Sequence, residues 1–282
     1  MSYMNVDAEP ATELYYTDVG HGQPIVLIHG WPLSHRMWES QINALVDAGF
    51  RCIAYDRRGF GDSGKPSGGY DYDTFASDLH DLLLALDLDN VVLVGFSMGG
   101  GEVARYIGTY GTERIAKAAL LGAVTPFLLK TDDNPDGAPQ DVFDGMIAGV
   151  KRDRLAFLDT FFPNFYNSDA SYAGVSADLI PYSKSIAWTA LPLATRECIT
   201  AFGTTDFRDD CRSINVPTLI VHGDADRIVP IDGSARKSAA LVQGSRLEVL
   251  VGAPHGFAAT HAAALNAILL DFLRADHLAH AR

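Results

Sequence analysis

The hydrophobic pattern alternates between short apolar runs and segments in which apolar residues recur at helical spacing. Such runs are typical of strands buried on both faces of a parallel sheet, and the second pattern predicts amphipathic helices. Predicted strands occupy residues 12–19, 25–28, 51–55, 91–94, 115–121, 217–221 and 246–251. Predicted helices occupy residues 38–46, 74–87 and 261–273, and the residues after 276 are expected to fray. This order predicts an α/β fold with a mostly parallel sheet, which opens with a hairpin formed by the first two strands.

The pattern changes between residues 125 and 211, where six prolines interrupt it and aromatic residues cluster. We expect short helices here, inserted as a cap over the carboxyl edge of the sheet. The chain would then be a single compact unit, with its α/β core in residues 1–124 and 212–282 and its cap in residues 125–211. A cap excludes water from a pocket beneath it, and the candidate lining residues are Phe162, Phe165, Trp188, Ile228 and Phe257. For any one aromatic residue, packing of the cap onto the core is an equal alternative.

The stretch VVLVGFSMGGGEVARYI at residues 91–107 combines a buried strand, a tight turn and the start of an amphipathic helix. Gly95 and Gly99 lie two residues to either side of Ser97, so that strand and helix can approach where a Cβ would clash. This arrangement exposes the serine hydroxyl in a strained turn, which favours a nucleophile. A glycine-rich turn without chemistry is the alternative, because the bare G-x-S-x-G motif is weak by itself.

A serine attacks a carbonyl group when a base takes its proton and a carboxylate orients that base. Asp226 and His255 each follow a predicted strand, and the chain order serine, acid, histidine is the one expected for this kind of nucleophile turn. Asp224 is the alternative acid, although its place beside the strand end favours a turn-capping role. The remaining histidines are weaker candidates for the base: they lie in helical patterns (His80, His261) or near the end of the sequence (His277, His280).

Two backbone N–H groups are candidates for an oxyanion hole. The strand at 25–28 ends in His29-Gly30-Trp31, and it is expected to end beside the nucleophile turn. The N–H groups of Trp31 and Met98 are therefore predicted to point at the carbonyl oxygen of a bound acyl group. A loop with a packed tryptophan is the alternative.

Two further motifs point to other chemistry and are discounted. Residues 59–64 match the dinucleotide fingerprint G-x-G-x-x-G, but Lys65-Pro66-Ser67-Gly68-Gly69 breaks the helix that the fingerprint must open. Nicotinamide and flavin cofactors are therefore not expected. Residues 61–64, GDSG, match the nucleophile sequence of trypsin-like proteases, but the all-β fold of those enzymes conflicts with the alternation of strands and helices.

Composition and charge exclude several classes of function. The chain has 282 residues, 48% of them hydrophobic, and a formal net charge of −13. It can therefore bury a large core, and it would repel nucleic acid and anionic membranes. Its three cysteines, Cys52, Cys198 and Cys211, indicate neither a disulfide framework nor a zinc site. Without a secretory signal or a run long enough to span a membrane, we expect a cytoplasmic protein.

Five motifs give the chain a clear resemblance to the α/β-hydrolase superfamily. They are HGWPLSHRMWE at 29–39, YDRRGFGDSGKP at 55–66, GFSMGGGEVARYI at 95–107, HGDADRIVP at 222–230 and APHGF at 253–257. Within the superfamily, the chain resembles the bacterial cofactor-free (non-haem) haloperoxidase, perhydrolase and aryl esterase family. The resemblance implies an eight-stranded sheet, a catalytic triad of Ser97, Asp226 and His255, and oxyanion-hole donors at Trp31 and Met98. Pro32, which follows the tryptophan, is similar to the form that favours peroxide as acyl acceptor.

The resemblance implies a serine hydrolase that acts on small carboxylic esters or acids and needs no cofactor or metal. Water as acyl acceptor gives esterase activity, and hydrogen peroxide gives a peracid that oxidises halide in solution. Hydrolysis of a lactone, an amide or a carbon–carbon bond by the same triad is the alternative, and a non-catalytic receptor with the same fold is a more distant one. No nucleic acid or membrane partner is expected, and a homo-oligomer is left open.

Overall fold

Eight strands form the centre of the computed structural model, which describes residues 2–168 and 176–275. They are β1 (Ser2–Val6), β2 (Thr12–Gly20), β3 (Pro24–Ile28), β4 (Arg51–Tyr55), β5 (Val91–Phe96), β6 (Ile115–Leu121), β7 (Thr218–Gly223) and β8 (Arg246–Leu250). They form one sheet in the order β1-β2-β4-β3-β5-β6-β7-β8. β2 pairs antiparallel with β1 and β4, and every other pair is parallel. The prediction of a mostly parallel, eight-stranded sheet is confirmed.

The predicted hairpin between the first two apolar strands is wrong. β2 pairs with β1 and β4, whereas β3 lies between β4 and β5 in the parallel interior of the sheet. The reason is burial: four of the five residues of β3 are fully buried, whereas β2 ends in three exposed residues. The turn between them crosses the start of β4, with Gly20 and Gly22 in the left-handed region at φ 86° and 95°. β1 was missed because its five residues, SYMNV, carry no apolar run.

Helices cover the sheet. They are α1 (Glu39–Asp47), α2 (Tyr72–Ala85), α3 (Met98–Tyr110), α4 (Gln140–Phe165), α5 (Leu179–Trp188), α6 (Pro192–Thr204), α7 (Arg208–Ser213), α8 (Ala235–Leu241), α9 (Phe257–Thr260) and α10 (Ala262–Arg274). One group packs α1 against α9 and α10, and a second joins α2 to α3, α3 to α7 and α7 to α8. Among the described residues, no helix is both long and apolar enough to cross a bilayer. The residues after 276, for which fraying was expected, lie outside the described part of the chain.

The segment between β6 and β7 carries four of these helices, α4 to α7. α4 consists of two short helical stretches that meet at a kink at Asp153, where the backbone leaves helical geometry with φ −161° and ψ 97°. The second stretch continues through Pro163. α4 packs against α5 and α6, and its buried face carries the aromatic residues Phe143, Phe161, Phe162 and Phe165.

Glycines set the distance between β5 and α3. A Cβ at Gly95 would collide with the backbone of Gly99, and a Cβ at Gly99 would collide with the carbonyl group of Ile28 in β3. Backbone atoms cannot move aside as a flexible side chain can, so these positions exclude every larger residue. α3 therefore starts in direct contact with the ends of two neighbouring strands.

We predict that Gly99→Ala destabilises the protein by several kcal/mol, because the new methyl group meets the backbone of β3. Gly145→Ala is the matched control: Gly145 lies in α4 with open space around the position of a Cβ, so alanine should stabilise the helix by up to about 1 kcal/mol. Urea unfolding of both variants measures the two effects. A Gly99→Ala protein as stable as the wild type would contradict the close contact.

Candidate active site

Ser97 occupies the turn between β5 and α3 in a strained conformation. Its φ of 54° lies in the left-handed region, which costs a residue with a side chain on the order of 1–3 kcal/mol. The surrounding backbone holds it there: Ser97 N donates to Leu121 O at 2.8 Å, and Ser97 O accepts from Val124 N at 3.2 Å. The side chain therefore leaves the sheet edge in one fixed direction, although only 7% of the residue is exposed.

The structure brings the three predicted triad side chains together. His255 Nε2 lies 2.9 Å from Ser97 Oγ, and His255 Nδ1 lies 2.6 Å from Asp226 Oδ2. The imidazole is fully buried, with the rings of Phe96 and Phe165 centred 5.1 Å and 5.0 Å away. A hydrogen on Nδ1, donated to the carboxylate, leaves Nε2 free to accept the serine proton.

Asp226 is held as a hydrogen-bond acceptor on both of its oxygens. Oδ1 accepts from the backbone N–H groups of Ile228 and Val229, each at 2.8 Å, and Oδ2 faces His255. Burial acts to raise the pKa of Asp226, but the adjacent His255 and the hydrogen bonds from His222 and His255 outweigh it and hold this pKa below its usual value. The carboxylate therefore stays ionised in the buried site.

Asp224, the alternative acid, lies elsewhere. Its side chain is exposed, and Oδ1 accepts a hydrogen bond from Gly252 N at 2.6 Å. The alternative bases His80 and His261 make other contacts: the ring of His80 stacks on Tyr110 at 4.1 Å, and His261 Nδ1 lies 3.0 Å from Thr260 Oγ1. His277 and His280 lie outside the described residues.

The loop after β3 lies against the nucleophile turn. A Cβ at Gly30 would lie 2.7 Å from the ring of Phe96 and 3.0 Å from Ser97 Cβ, so the loop packs closely on these two side chains. Among the described residues, the N–H groups of Trp31 and Met98 have no acceptor within the protein, and Met98 is the first residue of α3. The first N–H groups of a helix have no intrahelical acceptor and carry partial positive charge. Both groups are therefore available to an anionic oxygen.

The side chain of Trp31 ties this loop to the segment above it. Its Nε1 donates to Thr195 O in α6 at 2.9 Å, and its ring packs edge-on against Phe161 of α4 and Phe202 of α6, with centroids 5.1 Å and 5.7 Å away. Trp31 is only 3% exposed. The residue that offers its backbone N–H to the site is thus anchored through its indole to two helices of the inserted segment.

A buried polar network that the sequence interpretation missed supports the same loop. Arg57 donates to His29 twice, from its backbone N to Nε2 and from Nη2 to the carbonyl oxygen, both at 3.0 Å. Arg57 Nε in turn donates at 2.7 Å to Glu102 of α3, and Tyr55 is the other partner of that carboxylate. His29 Nδ1 lies 3.0 Å from Gly30 O. The network therefore links α3 to the peptide group that carries the Trp31 N–H.

One signal of this network was present in the sequence. Glu102 lies between Gly101 and Val103, on the buried face of an amphipathic helix, and a charged residue there requires a partner. The partner lies 45 residues away, at Arg57, and no local spacing indicates such a pair.

A cavity of about 370 Å³ opens above Ser97 and His255. Its walls are mostly apolar, and two carboxylates, Asp136 and Asp232, lie among the lining residues. The segment between β6 and β7 supplies much of the wall through Phe127, Leu128, Val142, Phe143, Met146, Phe161 and Phe202. A cavity of this kind suits a small, largely uncharged ligand.

Of the five residues predicted to line the pocket, the structure places Ile228 in the wall of this cavity. Phe165 lines a second cavity, of about 260 Å³, next to Phe96 and Gly256. The placement of Phe165 in the cavity above Ser97 is therefore corrected, as are the placements of the other three residues. Phe162 and Phe257 are fully buried in the hydrophobic core and line neither cavity. Trp188 is 48% exposed at the end of α5 and also lines neither cavity.

The loop after β4 does not resemble a dinucleotide site. Residues 59–64 close on themselves through a hydrogen bond from Gly59 N to Gly64 O, and the next helix begins only at Tyr72. Among the described residues, one group, His35, Asp56 and Asp62, brings potential metal-ligating atoms together. Asp56 already accepts hydrogen bonds from His35 N at 2.7 Å, His35 Nδ1 at 2.8 Å and Asp62 N at 2.8 Å, so its oxygens hold the turn together.

Comparison with known proteins identifies the class to which this fold and site belong. Residues 23–262 match the model of the family described as alpha/beta hydrolase fold. The chain therefore belongs to the alpha/beta hydrolase fold family.

Individual relatives within that family indicate a more specific group. The chain is 45% identical over 269 residues to the non-heme haloperoxidase of Rhodococcus erythropolis, covering 95% of this chain and 98% of the relative. It is 37% identical over 272 residues to the bifunctional esterase/perhydrolase of Acinetobacter calcoaceticus, covering 95% and 99%. The crystal structure of bromoperoxidase from Bacillus anthracis superposes with a TM-score of 0.93 at 51% identity, covering 97% of this chain and 100% of that one. The predicted resemblance to the non-haem haloperoxidase and perhydrolase family is confirmed.

We predict that the buried His29 makes stability depend on pH. Burial, and after it the adjacent Arg57, lowers the pKa of His29 from 6.5 to about 3. Between these values the unfolded chain binds a proton that the folded chain does not, so the free energy of unfolding should fall as pH drops from about 6.5 towards 3, by up to roughly 1.4 kcal/mol per pH unit. Above pH 6.5 this contribution is complete and constant.

Urea unfolding at several pH values between 4 and 8 tests this dependence on the wild type and on His29→Asn. The variant should be less stable at neutral pH. Below about pH 6.5 its free energy of unfolding should fall less steeply with decreasing pH, by the slope that uptake of about one proton causes. Equal slopes for the two proteins would contradict the assignment.

Proposed function

We propose that this protein is a serine hydrolase that forms an acyl-enzyme on Ser97 and transfers the acyl group to water or to hydrogen peroxide. The observation that carries the proposal is the continuous hydrogen-bonded chain from Ser97 Oγ through His255 to Asp226, at 2.9 Å and 2.6 Å, beside an apolar cavity. Small carboxylic esters and acids are the proposed substrates. The names of the relatives, which include an esterase/perhydrolase and haloperoxidases, support this choice.

In the acylation step, His255 Nε2 takes the proton of Ser97 as Oγ attacks the carbonyl carbon of the ester. Asp226 keeps the hydrogen of the imidazole on Nδ1 and stabilises the imidazolium that forms. The N–H groups of Trp31 and Met98 receive the negative charge on the carbonyl oxygen, with an effect of about 3 kcal/mol for each donor. The imidazolium then protonates the leaving alcohol.

In the deacylation step, the acceptor enters beside His255, which removes its proton as it attacks the acyl carbon. The bond from the acyl carbon to Ser97 Oγ then breaks, and the imidazolium returns the proton to Oγ. Water releases the carboxylic acid, and hydrogen peroxide releases the peracid. A free peracid oxidises halide outside the site, so haloperoxidase activity follows from acyl transfer.

Residues 125–211 are proposed to act as the cap of this site, on a core formed by residues 1–124 and 212–282. The support is the share of the cavity wall that they supply, including Phe127, Phe143 and Phe202. Apolar walls exclude bulk water and favour an uncharged acyl group.

We predict that Ser97→Ala lowers kcat for 4-nitrophenyl acetate by at least about 1,000-fold, because no other group then attacks the carbonyl. Asp226→Asn should lower kcat by about 1,000-fold to 10,000-fold, because the amide favours the wrong tautomer of His255. Steady-state kinetics measure kcat, and mass spectrometry after treatment with phenylmethylsulfonyl fluoride identifies the labelled residue.

The matched controls are Ser185→Ala, an exposed serine of α5, and Asp224→Asn, the neighbouring exposed acid. Both should retain kcat within about threefold, since neither touches the cavity. Full turnover by Ser97→Ala, or an equal loss in Asp224→Asn and Asp226→Asn, would refute the proposed roles.

We predict that bromination of monochlorodimedone by this protein requires a carboxylic acid or ester as well as peroxide and bromide, because the oxidant is a peracid. Acetate buffer should support the reaction, and phosphate buffer of the same pH should not. Ser97→Ala should lose bromination in parallel with ester hydrolysis. Bromination that persists in phosphate, or in the serine variant, would show a route that does not pass through Ser97.

A further inference from the structure

His222 is a buried histidine that the proposed mechanism does not use. It is fully buried and lies near the end of β7, just before the loop that carries Asp226. Its Nε2 lies 2.8 Å from Val229 O and 3.2 Å from Asp226 Oδ2. Its Nδ1 is buried and has no partner among the described residues.

These contacts determine which ring nitrogen carries the hydrogen. Both neighbours of Nε2 are oxygen acceptors, a carbonyl and a carboxylate, so a hydrogen on Nε2 satisfies them. A hydrogen on Nδ1 would instead be a buried donor without an acceptor. The ring therefore acts as a hydrogen-bond donor from Nε2.

The carboxylate of Asp226 thus lies among four N–H groups. The backbone N–H groups of Ile228 and Val229 bind Oδ1, and the two imidazoles face Oδ2, His255 at 2.6 Å and His222 at 3.2 Å. Among the described residues, the titratable groups with the largest effect on Asp226 are these two histidines, from β7 and from the loop after β8. Oδ2 is therefore shared between the imidazole that works in the reaction and one that does not.

We propose that His222 is a positioning residue for the reaction, donating from Nε2 to Val229 O and directing the same N–H towards Asp226 Oδ2 at 3.2 Å. The hydrogen bond holds the loop from Asp226 to Val229, and the electrostatic contact keeps Oδ2 turned towards His255 and draws part of its charge away from that ring. This inference rests on the proposed function, since it gives His222 its role through the triad.

The shared oxygen has a consequence for the pH–rate profile. Without the second donor, the charge on Oδ2 acts on His255 alone and favours the protonated imidazole more strongly. The base is then available only at higher pH. Loss of the bond to Val229 also loosens the loop, and small displacements of a catalytic group lower kcat.

The test compares His222→Phe, which fills the space without a donor, with His222→Gln, whose side-chain amide can donate from the position of Nε2. We expect His222→Phe to move the acidic limb of kcat/KM for 4-nitrophenyl acetate upwards by about 0.5 pH unit or more, and to lower kcat roughly tenfold. His222→Gln should restore the limb and most of kcat. His80→Phe, a histidine stacked on Tyr110 away from the cavity, is the control and should keep the wild-type profile.

A wild-type profile for His222→Phe, or equal losses in the Phe and Gln variants with an unmoved limb, would overturn the inference and leave a packing role. A second measurement does not depend on how the variants fold. Two-dimensional ¹⁵N–¹H NMR of the wild type should show His222 with its hydrogen on Nε2, and a hydrogen on Nδ1 would overturn the inference. Failure of the proposed function is separate, because it would appear as full activity in Ser97→Ala.

Discussion

The site depends on one close contact, in which the backbone at the start of α3 touches the ends of β3 and β5. Gly95 and Gly99 permit this contact, because any Cβ at either position would enter the backbone of its neighbour. The contact forces Ser97 into its left-handed conformation and leaves the N–H of Met98 at the open end of a helix. It also brings the loop at Gly30 against Ser97. The nucleophile and both candidate donors are therefore positioned by close packing around the same turn.

Beneath this contact the protein buries charge. Glu102 of α3 accepts a hydrogen bond from Arg57 Nε at 2.7 Å, and both side chains are buried. A buried ion pair of this kind contributes little net stability, because both groups lose their hydration. Its geometric effect is larger: Arg57 also holds His29 on the neighbouring loop. The network thus sets the orientation of that loop relative to α3, which apolar packing alone would leave free to slide.

The sequence predicted the parts of the protein whose causes are local. The apolar runs predicted the parallel strands, and Ser97, Asp226 and His255 could be chosen because each follows such a run. The order of strands in the sheet was harder, since the pairing of β2 with β1 and β4 depends on contacts far apart along the chain. The lining of the cavity was hardest to predict. Phe162 and Phe165 lie on adjacent turns of one helix, yet neither lines the cavity above Ser97, whereas Phe161 does. Which of these side chains reaches the cavity depends on the kink and the packing of α4, and the local sequence pattern predicts neither.

The anchoring of Trp31 constrains how this protein can diversify. The backbone N–H of Trp31 is a candidate donor of the site, and its indole donates a hydrogen bond to Thr195 of α6, so a shift of α6 would also shift the loop after β3. Changes in the helices between β6 and β7 that suit a different acyl group would therefore disturb the loop that carries Trp31 unless α6 is left in place. Variation compatible with activity should concentrate instead in the loop from Phe127 to Ala138 and in the first turns of α4, which border the same space without that tether.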